Sequence, residues 1–185
     1  MVEYVRLSGD QKHRYPTGSP ETGFMNNIGN RQSYIIEVKG IVQGVGFRPF
    51  IYKLAVKYGI NGAVANTTEG VLINVSHLSG TEVKTFADAI LREKPPASII
   101  EDIQVKKSAS KYDYKGFSIE KSRDTGNRFQ LVSPDLATCS KCREDIFNTG
   151  DNRRHHYPFT NCTNCGPRFT IIKKMTYDRP NNTMD

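Results

Sequence analysis

A short alternation of apolar and polar residues, Tyr34 to Lys39, runs directly into Gly40-Ile41-Val42-Gln43-Gly44-Val45-Gly46-Phe47-Arg48-Pro49, and no other stretch limits the fold as tightly. Tyr34, Ile36 and Val38 alternate with Glu37 and Lys39 as a strand with one buried face requires, Ile35 being the exception. Two closely spaced glycines, an arginine and a proline that can open a helix then make this a strand, a tight loop and a helix N-terminus. Glycines let consecutive backbone N–H groups converge on one point, where the helix start and the Arg48 guanidinium add positive charge. The segment reads as a cradle for a phosphate, with a tight structural turn as the plainer alternative.

From Pro49 onward, Phe50, Leu54, Ala55 and Tyr58 fall near helical spacing, with Gly59 as the stop. Gly62 to Asn66 and Val71 to Val75 predict two strands joined through Thr67-Thr68-Glu69-Gly70, a turn short enough for an antiparallel hairpin. Val83, Phe86, Ala87, Ile90 and Leu91 recur at i, i+3, i+4, i+7 and i+8, a helix with one apolar face closed by Pro95-Pro96. A fourth strand follows over Ile99 to Val105, and Phe117 to Ile119 adds a short edge piece. The order predicts an α+β, ferredoxin-like β-α-β-β-α-β sandwich with both helices on one sheet face, followed by a small zinc-ribbon segment.

The boundaries follow from composition. Residues 1–32 are rich in Gly, Asn, Ser, Thr and charge without period 2 or 3.6, and predict a disordered tail. The sandwich occupies 33–121 and a polar linker 122–132. In 133–185, Cys, His, Pro and Asn replace apolar residues and no strong helix or strand pattern extends, so this segment needs a staple.

A Gly-rich anion loop with an arginine, and an asparagine one strand downstream, suits transfer of a phosphoryl group to water, whose catalysis is largely positioning and charge neutralisation. Arg48 is placed to hold two phosphate oxygens in a bidentate fork. The amides of Gln43, Gly44, Val45, Gly46, Phe47 and Arg48 take the remaining oxygens, and the Asn66 carboxamide orients a water for in-line attack. Read singly, Arg48 is also compatible with a surface arginine and Asn66 with a turn residue.

Val42-Gln43-Gly44-Val45-Gly46-Phe47-Arg48 closely resembles the signature of acylphosphatases, and Gly62-Ala63-Val64-Ala65-Asn66-Thr67-Thr68-Glu69-Gly70-Val71 resembles their second signature. The resemblance covers about residues 33–121 and implies Arg48 as the phosphate-binding residue and Asn66 as the water-positioning one. Ala63 departs from the pattern, since that family usually carries an aromatic residue there, lining the pocket wall.

All four cysteines fall in two C-x-x-C pairs, Cys139 with Cys142 and Cys162 with Cys165, and 19 residues separate Cys142 from Cys162. Two thiolates so spaced can face one ion, and two such pairs complete a tetrahedral structural Zn2+ site in a reducing compartment. A redox-active pair is the competing reading. His155 and His156 are competing ligands, expected instead as half-exposed loop residues beside four thiolates, and Arg153-Arg154 as a solvated pair.

Pro134-Asp135, the cysteine pairs, Asn152-Arg153-Arg154, Tyr157-Pro158-Phe159, Asn161-Cys162, Cys165-Gly166-Pro167-Arg168-Phe169-Thr170-Ile171-Ile172 and Tyr177-Asp178-Arg179-Pro180 look like the first zinc finger of the HypF family of hydrogenase maturation carbamoyltransferases. That resemblance implies carbamoyl phosphate as the acyl phosphate, carbamate and phosphate as products, and HypE and the downstream HypF domains as partners. It also implies that Asp185 precedes a second zinc unit and two further domains, so this chain is not expected to complete carbamoyl transfer alone. A catalytically idle adaptor that binds an anion and uses the ribbon for contacts is the alternative.

The formal charge of +7 is spread along the 185 residues, with only short clusters such as Lys106-Lys107, so nucleic acid is not the expected partner. Apolar stretches are too short for a bilayer span and the N-terminus lacks a secretory h-region, which predicts a soluble, cytoplasmic protein.

Overall fold

The structure, a computed structural model, describes residues 5–6, 31–123, 136–150, 153–160, 162, 165, 172–173 and 183. The elements are β1 (Val5–Arg6), β2 (Gln32–Ile41), α1 (Phe47–Lys57), β3 (Asn61–Thr67), β4 (Gly70–Leu78), α2 (Gly80–Glu93), β5 (Ile99–Lys107), β6 (Phe117–Ile119) and α3 (Ser140–Phe147). They build one sheet in the order β1-β5-β2-β4-β3-β6. Its four long strands, β5-β2-β4-β3, are antiparallel throughout, and β4 sits between β2 and β3, splitting the β2-α1-β3 unit. This is the expected ferredoxin-like arrangement, with β6 as a parallel edge strand on β3.

Period-2 alternation decides which face is covered. Tyr34, Ile36 and Val38 of β2, Val71, Ile73 and Val75 of β4, Val64 of β3 and Ile103 and Val105 of β5 turn to one side. There they meet Phe47, Ile51, Leu54 and Ala55 of α1 and Val83, Phe86, Ala87 and Ile90 of α2 in one core. Each large fully buried side chain, such as Phe86, contributes roughly 1.5–3 kcal/mol.

The helix ends follow local chemistry. α1 starts at Phe47, two residues before Pro49, which costs nothing because the first-turn N–H that proline lacks has no intrahelical partner anyway. α2 is opened by a capping box: the Glu82 N–H donates to Ser79 Oγ at 3.2 Å, and the Ser79 N–H donates to Glu82 Oε2 at 2.7 Å.

The opposite sheet face is crossed by residues 108–116 on their way from β5 to the far edge. Tyr112 N donates to Ser33 Oγ at 2.9 Å, His77 Nε2 lies 3.0 Å from Asp113 Oδ1, and Gly62 N donates to the Gly116 carbonyl at 2.8 Å. Ser33, Asn74 and Ser76 are buried beneath this strap. Ile35, the exception to the alternation, stands on this face opposite Asn74 and Lys106.

Three findings differ from the sequence expectations. Val5–Arg6, inside the predicted disordered tail, pair with Val105 and Gln104 and extend the sheet by a strand too short to show any periodicity. Arg123, just inside the predicted linker, bridges to Thr67 in parallel. Ser140–Phe147 is a helix where none was expected. The remainder of the predicted tail up to residue 30, the linker from residue 124, and the motifs at 166–171 and 177–180 lie outside the described residues.

Candidate functional site

The loop between β2 and α1 turns on Gly44 (φ 71°) and Gly46 (φ 74°), a left-handed conformation that side chains resist, while Val45 and Phe47 bury their side chains at 1% exposure. With those two side chains held in the core, the polypeptide backbone itself forms the loop surface. Among the described residues, the N–H groups of Gly44, Val45, Gly46 and Phe47 find no acceptor. A run of four such donors at a helix N-terminus is an arrangement that can take up an anion. The first turn of α1 carries no acidic residue to occupy it. Arg48, the second residue of α1, is half-buried beside this run.

Asn66 stands near the end of β3 opposite Val71, on the helix-covered face. Its backbone is held on both sides, by β4 and by the Arg123 N–H, which donates to the Asn66 carbonyl at 2.8 Å. The side chain is 1% exposed, and its Oδ1 has no partner among the described residues. An acceptor buried without a donor is costly to desolvate, an arrangement Asn66 Oδ1 shares with Gln43 Oε1, Asn74 Oδ1 and Ser76 Oγ.

Sequence reasoning assigned Gln43 to phosphate binding through its amide and missed its side chain. Gln43 Nε2 donates to the carbonyls of Thr67 and Gly70, each at 2.7 Å, so the cradle is tied to the turn that follows Asn66. No local signal could have revealed this, because the partners are carbonyls brought in by the hairpin. Ala63, considered for the pocket wall, faces the opposite side of the sheet, paired with Asn74.

The second site lies in the finger. Cys139 caps the N-terminus of α3 and Cys142 sits in its first turn, so the first C-x-x-C is a helix start. All four sulfurs lie within 4.8 Å of one another, with Cys139–Cys162 at 3.4 Å, Cys142–Cys165 at 3.6 Å and Cys162–Cys165 at 3.8 Å. Tetrahedral thiolates at about 2.3 Å from a zinc ion stand about 3.8 Å apart, so the set fits a metal of that size. Burial pushes the Cys142 and Cys165 thiols up, which is the penalty a bound cation removes.

His155 and His156 stack on each other at 3.9 Å between ring centroids and are not part of the sulfur cluster. Arg154, expected as a solvated residue, pairs with Asp145 of α3. A cavity of about 590 Å³ lies between the two sites, bordered by Gly46 and Phe50 on one side and Cys139 and Cys165 on the other. Among the described residues, no helix is long and apolar enough to cross a membrane.

Residues 34–119 match the acylphosphatase family and residues 138–172 the HypF finger. The carbamoyltransferase HypF of Synechocystis sp. is 42% identical over 149 residues, 80% of this chain and 19% of that protein. The acylphosphatase of Caldivirga maquilingensis is 37% identical over 83 residues, 44% of this chain and 86% of that protein. The crystal structure of full-length HypF in its phosphate- and nucleotide-bound form superposes with a TM-score of 0.74 at 40% identity, covering 85% of this chain and 20% of that one. The chain thus spans about a fifth of the length of the HypF relatives it matches. Through residues 34–119 the chain belongs to the acylphosphatase family, and its joining of that domain to a HypF finger matches the N-terminal region of HypF carbamoyltransferases.

Proposed function

We propose that this chain hydrolyses an acyl phosphate, with carbamoyl phosphate as the substrate and carbamate and inorganic phosphate as products. The observation that carries this reading is the run of N–H groups from Gly44 to Phe47 that find no acceptor among the described residues, opening α1 beside Arg48 and tied to the turn after Asn66. Those donors and the guanidinium bind the phosphoryl oxygens, and the Asn66 carboxamide holds a water opposite the leaving oxygen. The water oxygen bonds to phosphorus, the bond from phosphorus to the acyl oxygen breaks, and the electron pair leaves on the carboxylate. Both water protons end on the phosphate. The phosphate held by the full-length HypF relative is consistent with this assignment.

In the finger, Cys139, Cys142, Cys162 and Cys165 hold a zinc ion whose contribution is structural, cross-linking a segment with little apolar content. Passage of the carbamoyl group to HypE belongs, on this reading, to HypF regions beyond the matched segment.

Phosphate release tests the proposal. Carbamoyl phosphate and acetyl phosphate should both be cleaved, and a phosphate monoester should not. Phosphate binding without release would instead assign an idle, anion-binding adaptor, and no release from either acyl phosphate overturns the proposed activity.

A further inference from the structure

We propose that Gln43 is a positioning residue for this hydrolysis: its side-chain amide locks the anion loop to the β3–β4 turn and so sets the placement of Asn66 relative to the loop N–H groups. The proposal rests on the function given above and adds a residue to it.

The Gln43 side chain is 3% exposed and spends both Nε2 hydrogens on the hairpin, one on the Thr67 carbonyl and one on the Gly70 carbonyl. Thr67 and Gly70 are the pair that closes the hairpin, so a single NH2 group clamps both sides of the turn. Each end of the tie lies one residue from the chemistry, Gln43 before Gly44 and Thr67 after Asn66. The loop needs such a tie because its two left-handed glycines leave its backbone with more freedom than any other residues would. Among uncharged side chains of this reach only a primary amide puts two donors on one nitrogen, since an ionised carboxylate is acceptor-only and a thioether or alkyl chain offers none.

Gln43 Oε1 is buried without a partner among the described residues, so desolvating this side chain is offset by the two donated bonds alone. Both hydrogens point to the hairpin, which leaves the side chain no donor for a phosphate oxygen. Gln43 therefore acts through Asn66 and the loop.

Gln43→Met keeps the volume and removes both donors. A misplacement of about 1 Å costs on the order of 100-fold in rate, so kcat should fall about 10- to 100-fold. The inhibition constant for inorganic phosphate should move by less than about threefold, because the loop N–H groups and Arg48 remain. The decisive measurement is the double variant: in an Asn66→Ala background the same change should cost less than about threefold, since the residue it positions is gone. Fully additive losses, or phosphate affinity weakened in step with kcat, overturn the proposal. Gln43→Asn, which keeps the amide but shortens its reach, serves if Gln43→Met does not fold, with the same expected split.

If the parent releases no phosphate from any acyl phosphate, the proposed function fails independently and the tie is judged by titrating inorganic phosphate against backbone amide resonances. In the parent, phosphate should shift both Gly44–Phe47 and Thr67–Gly70, and in Gln43→Met only the loop. A parent response confined to the loop, or none at all, overturns the tie.

Discussion

Gln43 Nε2 lies 2.7 Å from the carbonyl oxygen of Thr67, a buried hydrogen bond that spans 24 positions and fastens the glycine loop to the strand bearing Asn66. Two segments with no neighbouring sequence are thereby made one site, and the reactivity proposed for it depends on Arg48 and Asn66 holding different roles on its two sides.

Arg48→Ala is expected to abolish acyl phosphate hydrolysis while leaving the fold intact, because Arg48 is half-buried at the helix start and absent from the core cluster. Loss of a preorganised charge clamp removes about 3–4 kcal/mol of transition-state stabilisation, a drop of 10²–10³ in kcat. Steady-state phosphate release alongside a thermal melt checks both parts. Turnover within about threefold of the parent would remove Arg48 from the mechanism.

Asn66→Ala should lower kcat sharply while the inhibition constant for inorganic phosphate changes by less than about threefold, since a residue that orients water acts on the transition state. Little stability should be lost, because the deleted Oδ1 makes no hydrogen bond among the described residues. Equal loss of phosphate affinity in Asn66→Ala and Arg48→Ala would contradict the division of roles.

Purified protein should carry about one zinc per chain, and Cys142→Ser, which alters the most deeply buried thiol, should lose it. Chelation should leave phosphate release within about threefold of the untreated value, because the cradle is built on its own core. Metal analysis paired with the turnover assay decides this. Activity falling in step with zinc would show that the finger supports the cradle across the cavity between them.

Glu93 of α2 accepts from Lys57 of α1 at 2.9 Å and from Arg92 at 3.0 Å, and the Lys57 hydrogen bond is the larger cause holding its carboxyl below the ordinary 4.5. A carboxyl depressed in the folded state contributes stability above its unfolded pKa and loses it as pH falls through the folded value. Glu93→Gln should therefore destabilise by about 0.5–1 kcal/mol at neutral pH, and the difference should shrink in acid as pH falls through the carboxyl's lowered folded-state value. Urea melts at neutral and acid pH test it; a difference that persists in acid would assign the loss to packing.

The sequence by itself determined the β-α-β-β-α-β order, the face α2 buries and the gathering of four cysteines, because each is written in local periodicity or spacing; α1 instead buries Phe47 and Ile51 with Leu54 and Ala55, leaving the expected Phe50 and Tyr58 only partly covered. Val83, Phe86, Ala87 and Ile90 mark the α2 face without reference to any other segment. Even the Ser79–Glu82 capping box is legible as Ser-x-x-Glu. Tertiary structure alone decided the rest. α3 buries only Cys142, so it carries no apolar stripe to announce a helix. Ala63 and Asn66 share a strand, yet odd separation sends them to opposite faces. Gln43 could not be distinguished from its neighbours in the loop until the hairpin delivered the Thr67 and Gly70 carbonyls, because a side-chain amide takes its meaning from acceptors that the chain supplies from elsewhere.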